Sequence, residues 1–174
     1  FEGEDKLLVF PWAKGTQIEQ IYAYYTEEDF TDWTHPDSGA PLLKAQHPEF
    51  EIFTADSTHY TAGVACADCH MPYTRDGAAK YSTHDVHSPL LNAEAACGTC
   101  HTDVDYVTTR VALIQSQVYT TLINTEDTIL AAIAGIKTAS ETAGVDEALL
   151  AQARQLHREA QMYWDLIAAE NSMG

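Results

Sequence analysis

All four cysteines of the chain lie in two copies of one short motif, Cys66-Ala67-Asp68-Cys69-His70 and Cys97-Gly98-Thr99-Cys100-His101. Two thiols at the C-x-x-C-H spacing can form thioether bonds to the two vinyl groups of one porphyrin. The imidazole of the following histidine then reaches the iron as its proximal ligand. Because both copies are complete and no cysteine is left over, the sequence predicts two covalently attached c-type haems, with His70 and His101 as iron ligands.

Two other uses of paired cysteines fit the sequence less well. A four-cysteine zinc site would leave both trailing histidines without a role, and the 27 residues between Cys69 and Cys97 are somewhat longer than the usual zinc-ribbon spacing. A thioredoxin-like redox pair normally occurs once, in a strand-helix context. A zinc-bound interaction module stays open as an alternative, and such a protein would be colourless.

The composition limits the size of the fold and the kind of partner. With 174 residues, of which 45% are hydrophobic, the chain can form one domain with a real core. Its 26 acidic and 9 basic residues give a net charge of −17, which argues against binding to nucleic acid or to an anionic membrane. The charge favours a basic redox partner, although acidic residues also serve solubility alone. No apolar run is long enough to cross a bilayer, so no transmembrane segment is predicted.

The first 102 residues are predicted to be a loop-rich haem-binding region. A helix is predicted from Thr16 to Tyr25, since four residues there share one apolar face: Ile18, Ile21, Tyr22 and Tyr25. From Thr34 onward, prolines and the run Asp37-Ser38-Gly39 predict irregular loops. Pro48 favours an extended backbone at His47, which would let this histidine point into a cavity. Residues 61–102 show little periodicity, as expected where porphyrins supply much of the apolar core.

The periodicity changes after Thr102 and predicts two long helices. Apolar residues three or four positions apart predict one amphipathic helix from Asp103 to about Ala139: Val104, Val107, Val111, Ile114, Val118, Leu122, Ile129, Ile133 and Ile136. Gly144 allows a turn and Asp146 can cap a second helix. The predicted apolar face of that helix comprises Leu149, Ala153, Leu156, Ala160, Tyr163 and Ile167.

The predicted fold is therefore mainly α. It is that of a multihaem c-type cytochrome in which a loop-rich haem region, residues 1–102, precedes a long antiparallel helical hairpin, residues 103–174, within a single domain. An apolar stripe of this length either covers the haem core or meets a second copy of itself. We accordingly predict a homodimer formed through these C-terminal helices.

Beyond the haem motifs, the chain resembles the C-terminal part of pentahaem cytochrome c nitrite reductase, the ammonia-forming periplasmic enzyme. The resemblance covers most of the chain, and its most specific segment is Lys44-Ala45-Gln46-His47-Pro48-Glu49, a dozen residues before His59. The other segments that carry it are Gly3 to Lys6 with Phe10 to Trp12, Cys66 to Pro72, Ser88 to Asn92, and Ala168 to Gly174.

The resemblance implies a role for most of the histidines. Cys66, Cys69 and His70 would hold the fourth haem of the family, and Cys97, Cys100 and His101 the fifth. His59 would be the distal ligand of the fifth haem. His84 would be the distal ligand of the second haem, whose attachment motif is not in this chain; His87, three residues on, competes for that role. The resemblance itself gives His35, His87 and His157 no function.

The resemblance also implies an active-site loop. His47 would hydrogen-bond nitrite above the catalytic iron and assist proton delivery, a task that suits imidazole near neutral pH. The backbone carbonyl of Lys44 and the side-chain oxygen of Gln46 would be calcium ligands, which is reasonable chemistry because calcium accepts neutral oxygens. The catalytic haem of the family is ligated by the lysine of a C-x-x-C-K motif. No such motif occurs here, so that haem would lie outside this chain.

For the whole protein, the resemblance implies six-electron reduction of nitrite to ammonium by five haems, two of them attached to this chain, together with Ca²⁺. The electron donor would be a redox partner cytochrome or a quinol dehydrogenase, and the protein would be exported to the periplasm with a signal peptide outside this chain. We expect the chain to be part of a longer protein, since the distal ligand of the fourth haem would follow Gly174. The alternative is a non-catalytic multihaem electron-transfer cytochrome, which would lack a C-x-x-C-K motif.

Overall fold

The computed structural model describes residues 10–170, so the segments Gly3 to Lys6 and Asn171 to Gly174 lie outside the described residues. Helices dominate, which confirms the mainly α prediction. The elements in chain order are α1 (Ile18–Glu27), β1 (Trp33–Thr34), β2 (Pro41–Leu42), α2 (Glu49–Thr54), α3 (Thr58–Thr61), α4 (Cys66–His70), β3 (Tyr73–Asp76), β4 (Ala79–Ser82), a 3-10 helix (Pro89–Asn92), α5 (Ala93–Ala96), α6 (Val104–Ser140) and α7 (Glu147–Ala169). None of the helices within residues 10–170 combines the length and apolar character needed to cross a membrane.

The chain forms two compact units. Among the described residues, 10–55 and 118–170 belong to one, called here the hairpin unit, and residues 56–117 form the other, called the motif unit because both C-x-x-C-H sequences lie in it. The division into a haem-binding region, residues 1–102, and a helical hairpin, residues 103–174, stays a prediction. Each unit contains one small antiparallel pair of strands, β1 with β2 and β3 with β4.

The helical hairpin has nearly the predicted bounds. α6 runs from Val104 to Ser140, against a prediction of Asp103 to about Ala139. The turn after α6 uses Gly144 at φ 80°, a left-handed conformation that glycine adopts without steric cost. Asp146 then caps α7, because its side chain accepts hydrogen bonds from the backbone N–H groups of Ala148 and Leu149. The Trp164 indole donates to the Leu122 carbonyl at 3.1 Å and so joins α7 to α6.

The core of the hairpin unit forms where α1 meets α7. Ile21 and Tyr25 from α1 are buried together with Leu43 and Met162, and Ile18 and Tyr22 pack against this cluster. The predicted face of the first helix is therefore correct, although the helix itself begins two residues later, at Ile18. This packing makes α7 a support for the segment that carries Lys44 to His47.

The predicted apolar face of α7 is partly wrong. Leu149 and Leu156 are 62% and 61% exposed. The buried positions of the helix neighbour the predicted ones, and they include polar side chains: Leu150, His157, Arg158, Met162 and Leu166. His157 and Arg158 are buried because α7 packs against an irregular loop that supplies hydrogen-bond partners, the Ser38 hydroxyl for His157 and backbone carbonyls for Arg158. Apolar periodicity alone therefore predicts the neighbouring face of the helix.

That loop, residues 30–45, is held to α7 by arginine side chains. Arg158, 4% exposed, donates to the carbonyls of Pro41 at 2.6 Å and Phe30 at 2.7 Å. Arg154 donates to the Ser38 carbonyl at 2.8 Å. Because a guanidinium presents several donors in a rigid fork, one side chain can bind two carbonyls at once. The loop is thereby fixed although it contains little regular structure.

The motif unit buries very few of its own side chains. Among residues 56–117, only Pro72 and Ala96 are buried. Most of its helices are single turns, and large apolar side chains such as Tyr73, Val86 and Leu91 are at least 65% exposed. This agrees with the expectation that porphyrin rings supply much of the apolar surface in this part of the chain.

Candidate functional site

The first C-x-x-C-H motif forms the single-turn helix α4. The Asp68 carboxylate accepts a hydrogen bond from the Ala65 backbone N–H at 2.8 Å and caps the start of this turn. The Nδ1 atom of His70 lies 2.9 Å from the His87 carbonyl oxygen. Since a carbonyl only accepts, Nδ1 carries the proton and Nε2 is left with its lone pair. Metal-ligating histidines commonly have this arrangement, which orients the ring and selects the tautomer.

The second motif continues directly from α5. The backbone N–H of Cys97 donates to Ala93 and that of His101 to Cys97, so the motif stays in one tight turn. A Cβ atom at Gly98 would lie 2.4 Å from the Glu94 carbonyl oxygen, closer than real Cβ contacts come. The turn that brings Cys97 and Cys100 together therefore requires glycine at this position.

The two motifs are neighbours in the motif unit, since α4 packs against α5. The pKa of the Cys69 thiol is raised, mainly by burial and next by the nearby Cys97, with smaller contributions from Cys100 and Cys66. All four thiols are therefore close enough to interact electrostatically, and none is in a disulfide. Sequence spacing alone could not predict that the two attachment sites lie side by side.

His59 lies opposite His101. The centres of the two imidazole rings are 6.2 Å apart, and the ring planes are inclined at 78°. A metal-imidazole bond is about 2 Å long, so two imidazoles on opposite sides of one iron have ring centres roughly 6 Å apart. The donor set and its spacing thus fit a haem iron with one imidazole on each side, attached through Cys97 and Cys100.

His84 and His87 lie in the segment between β4 and the 3-10 helix and differ in their surroundings. Nδ1 of His87 is 2.5 Å from the Asp85 carbonyl oxygen, and its own carbonyl accepts from His70. His87 is therefore occupied in holding its loop and the His70 ring. His84 is exposed, and it stays the predicted ligand for a haem attached elsewhere.

The loop with His47 differs from its prediction in backbone conformation. His47 has φ 53°, in the left-handed region, whereas the following proline predicted an extended backbone. Histidine is among the residues that reach this region more readily than most, and Pro48 disfavours only the right-handed helical alternative strongly. The His47 side chain is 86% exposed, and its Nδ1 lies 3.7 Å from a Glu49 carboxylate oxygen.

The predicted calcium ligands lie on a segment that two carboxylates hold in place. The Lys44 backbone N–H donates to Asp32 at 2.9 Å, and the Ala45 N–H donates to Asp165 at 2.8 Å. A cavity of about 270 Å³ is lined by Trp33, Leu43, Lys44, Ala45, Gln46, Gln161 and Asp165. Among residues 10–170 no three metal-binding side chains of the His, Cys, Asp or Glu type come together. The Lys44 carbonyl and the Gln46 side chain fit calcium chemistry as two of the six to eight oxygens this ion takes.

Sequence reasoning missed four residues that shape these sites: Gly98, Arg158, Asp165 and, through its carbonyl, His87. Asp165 and Arg158 act on residues more than a hundred positions away, which no local pattern reveals. The glycine within the second motif was visible, but its necessity depends on the preceding helix α5.

Comparison with known proteins identifies the family. The sequence profile described as cytochrome c552 matches residues 1–174, the whole chain. The chain belongs to the cytochrome c552 family. Membership of a cytochrome c family makes haem c its cofactor, in agreement with the two attachment motifs.

Relatives of this cytochrome c552 chain include the cytochrome c nitrite reductase subunit NrfA of Nitratidesulfovibrio vulgaris, which is 41% identical over 99% of this chain and 36% of the relative. A cytochrome c-552 of Bacteroides fragilis is 39% identical over 98% of this chain and 34% of the relative. The chain therefore spans about a third of the length of these curated relatives.

A solved structure is also similar over most of the described fold. It is the catalytic subunit of cytochrome c nitrite reductase from Desulfovibrio desulfuricans, described with two calcium sites. The TM-score is 0.87 at 38% sequence identity, covering 94% of this chain and 37% of that one. At this identity the likeness extends beyond the fold, and it agrees with the family assignment.

Proposed function

We propose that this chain is the portion of an ammonia-forming cytochrome c nitrite reductase that carries two electron-transfer haems, the active-site histidine and part of a calcium site. The observation that carries the proposal is the similarity to a catalytic nitrite reductase subunit along nearly the whole chain, through both haem motifs and the His47 loop. An electron-transfer cytochrome would need the haem motifs but not the loop.

In the proposed relay, Cys66 and Cys69 attach one haem and Cys97 and Cys100 attach the other. His70 and His101 are the proximal ligands, and His59 completes the coordination of the second iron. Haem c supplies a centre that accepts and releases one electron at a time. Because the two thiol pairs are adjacent, the attached groups would be close enough to pass electrons along the motif unit.

In the proposed active site, His47 donates a hydrogen bond to a nitrite oxygen and delivers a proton during cleavage of the N–O bond. Its exposure leaves the ring accessible to a substrate bound to another part of the protein. The catalytic lysine-ligated haem belongs to a part of the protein outside this chain. The Lys44 carbonyl and Gln46 would hold Ca²⁺ beside this loop.

The proposed setting is periplasmic. Nitrite is the substrate, the donor is a cytochrome or a quinol dehydrogenase, and α6 with α7 forms the interface of a homodimer. Exposed apolar side chains along α6, among them Leu113, Ile123 and Leu130, support an interface on this helix. The mass of the native protein in solution tests the dimer, and a monomeric mass would count against it.

The catalytic proposal is tested with the full-length, haem-loaded protein. His47→Gln removes the proton donor but keeps a polar side chain, so kcat for nitrite should fall at least a hundredfold while the haem count is unchanged. Asp76→Asn, at the exposed end of β3, is the matched control. Turnover by the His47 variant within twofold of the unaltered protein would contradict the role of His47. A multihaem protein that transfers electrons without reducing nitrite would instead be the electron carrier.

The haem ligand proposal has a spectroscopic test. His59→Ala removes one of the two imidazoles, so the haem on Cys97 and Cys100 should change from six-coordinate low-spin to five-coordinate high-spin iron. Electron paramagnetic resonance and absorption spectra of the full-length protein measure this change. Thr58→Ala, in the same helical turn, should leave the spectra unaltered. If the His59 variant contained as many low-spin haems as the unaltered protein, His59 would not be a ligand of this iron.

A further inference from the structure

Two acidic side chains hold consecutive backbone N–H groups of the loop that precedes His47. Asp32 accepts from Lys44 at 2.9 Å, and Asp165 accepts from Ala45 at 2.8 Å. Asp32 is exposed, whereas Asp165 and Ala45 are both partly buried. Hydrogen bonds from an amide to a carboxylate are shorter and stronger than those to a neutral acceptor, and partial burial strengthens them further. Asp165 is therefore the stronger of the two anchors.

The geometry of the peptide bond gives this contact a specific consequence. The Ala45 N–H and the Lys44 carbonyl belong to one planar trans peptide unit, in which the N–H and C=O bonds point in opposite directions. When Asp165 fixes the direction of the Ala45 N–H, it also fixes the Lys44 carbonyl, which then points away from Asp165. Asp165 cannot bind an ion on the side that this carbonyl faces. It influences such an ion only by orienting the Lys44–Ala45 peptide unit.

The element that carries Asp165 is well anchored. Three residues before it, Met162 lies in the core of the hairpin unit, and one residue after it, Leu166 is buried. Two turns earlier, Arg158 binds the carbonyls of Phe30 and Pro41. A carboxylate on such a helix can impose its position on a loop, rather than adapt to the loop. Gln46 and Asp165 also line the same cavity.

We propose that Asp165 is a positioning residue for the calcium and active-site loop. It aims the Lys44 carbonyl and thereby places the Gln46 side chain and His47, which follow within three residues. The proposal rests on the proposed function, because it assigns these residues the calcium and nitrite roles given above. It adds a residue 120 positions away from Ala45 that touches neither the ion nor the substrate.

The test compares three variants of the full-length, haem-loaded protein. Asp165→Ala and Asp165→Ser both remove the acceptor, since the serine hydroxyl is too short to reach the Ala45 amide. Asp165→Asn keeps an oxygen acceptor in the same place. Asp76→Ala, at the end of β3, is the control for loss of an exposed aspartate. Calcium affinity is measured by competition with a chelator, and kcat and KM for nitrite are measured at low and at saturating calcium.

The Ala and Ser variants should bind calcium about tenfold more weakly, because the lost bond is charge-assisted. Their kcat should fall about tenfold at low calcium and recover at saturating calcium, with KM changed less than twofold. The Asn variant should stay within threefold of the unaltered protein in both measurements. The Ser variant carries the test if the Ala variant does not mature. Haem content should be unchanged throughout, which separates positioning from a failure of the protein to mature.

Two results would overturn the inference. One is calcium affinity and turnover within twofold of the unaltered protein in both the Ala and Ser variants. The other is a loss of both in strict proportion to haem content. In either case nitrite turnover by the unaltered protein would keep the proposed function intact. If the unaltered protein bound calcium with the expected dependence on Asp165 but did not reduce nitrite, the proposed function would fail and the positioning role would stand.

Discussion

Gly98 shows how one residue inside a haem motif can depend on the element before it. The motif requires only two cysteines and a histidine, yet a methyl group at this position would meet the Glu94 carbonyl at 2.4 Å. That oxygen belongs to the backbone of α5 and cannot move without breaking the turn. The spacing of the cysteines is therefore maintained by the absence of a side chain.

Gly98→Ala should impair attachment of the haem to Cys97 and Cys100. The backbone shift that relieves the clash moves the two thiols apart, so a large fraction of the protein should lack one haem. The mass of the denatured protein measures this directly, because thioether bonds survive denaturation. Gly135→Ala is the matched control, since nothing lies within 4 Å of its added methyl group and alanine favours helix there. Full haem occupancy in the Gly98 variant would contradict this account.

His157 is a buried histidine held in its neutral form. It is 3% exposed, its Nδ1 lies 3.0 Å from the Ser38 hydroxyl, and its ring is 5.3 Å from that of His35. Burial, and after it the neighbouring His35, lower its pKa below the usual 6.5. The Ser38 hydroxyl also accepts from the Ala40 backbone N–H at 3.2 Å, so this buried contact joins the histidine to the loop.

Acid should therefore destabilise the hairpin unit through His157. Below pH 6.5 the unfolded chain takes up a proton on this residue and the folded chain does not. The free energy of unfolding therefore decreases as the pH is lowered, until the pKa of His157 in the folded state is reached. Above pH 6.5 the residue is neutral in both states and contributes no pH dependence. The urea midpoint of the haem-loaded protein should fall less between pH 7.5 and 5.5 in His157→Gln than in the unaltered protein. Equal slopes would exclude His157 as a cause.

At the residue scale, the sequence predicted the chemistry better than the geometry. The cysteines and proximal histidines followed from a spacing that only one cofactor requires. Only the family resemblance predicted that His59 lies near His101, where the ring centres are 6.2 Å apart. The conformation of His47 was predicted wrongly because the rule for residues before proline says which region is disfavoured, not which of the others a loop selects.

At the scale of the elements, the apolar pattern of α7 is hard to recognise in the sequence, although side chains of this helix hold the loop of residues 30–45. Its buried face includes His157 and Arg158, so apolar periodicity indicated Leu149 and Leu156 instead, and both are exposed. In α6 the predicted apolar stripe corresponds to the less exposed positions, and Ile129 and Ile136 are buried at 7% exposure each. Periodicity predicts a face well only where the contacts made there are apolar.

Arg158→Met should destabilise the hairpin unit by about 2–4 kcal/mol, because the Phe30 and Pro41 carbonyls lose a charged donor in a partly buried place. The methionine fills similar volume, so packing is largely kept. Arg158→Lys should recover only part of this loss, since one ammonium cannot reproduce the forked contact. Chemical unfolding measures the change, with Arg110→Met on exposed α6 as the control. Equal stability of the Arg158 and Arg110 variants would show that the loop does not depend on this side chain.

At the scale of the whole molecule, charge is the property that sequence predicts most directly. The chain carries −17 with only nine basic residues, and Arg154 and Arg158 are engaged inside the hairpin unit. Its field therefore attracts cations over a distance that salt controls, about 10 Å at 0.1 M ionic strength.

Electron transfer from a basic donor should consequently slow as salt is added. Raising ionic strength from about 0.02 to 0.5 M should lower the second-order rate with a cationic protein donor by roughly tenfold or more. Stopped-flow reduction of the haems in the full-length protein measures the rate. A neutral small-molecule reductant provides the control and should show little dependence. A rate with the cationic donor that rises with salt would indicate an acidic partner instead.

The division into compact units was beyond sequence reasoning. The haem region and the hairpin were predicted as consecutive segments, yet residues 10–55 pack with the end of α6 and with α7, and residues 56–117 form a unit of their own. Contacts such as Arg158 with Phe30 or Asp165 with Ala45 join positions more than a hundred residues apart. Such pairings depend on which surfaces meet, and no single stretch of sequence contains that information.

The low burial of the motif unit bears on the order of events during biogenesis. With only Pro72 and Ala96 buried among residues 56–117, the polypeptide gains little from closing on itself. This stretch should therefore still be unfolded when haem is attached to it. Each attached haem should then provide the apolar surface against which the neighbouring turn of the chain packs. Protease digestion of a chain with all four cysteines replaced by serine should cut first within this stretch. Haem attachment would then be the step that folds this unit.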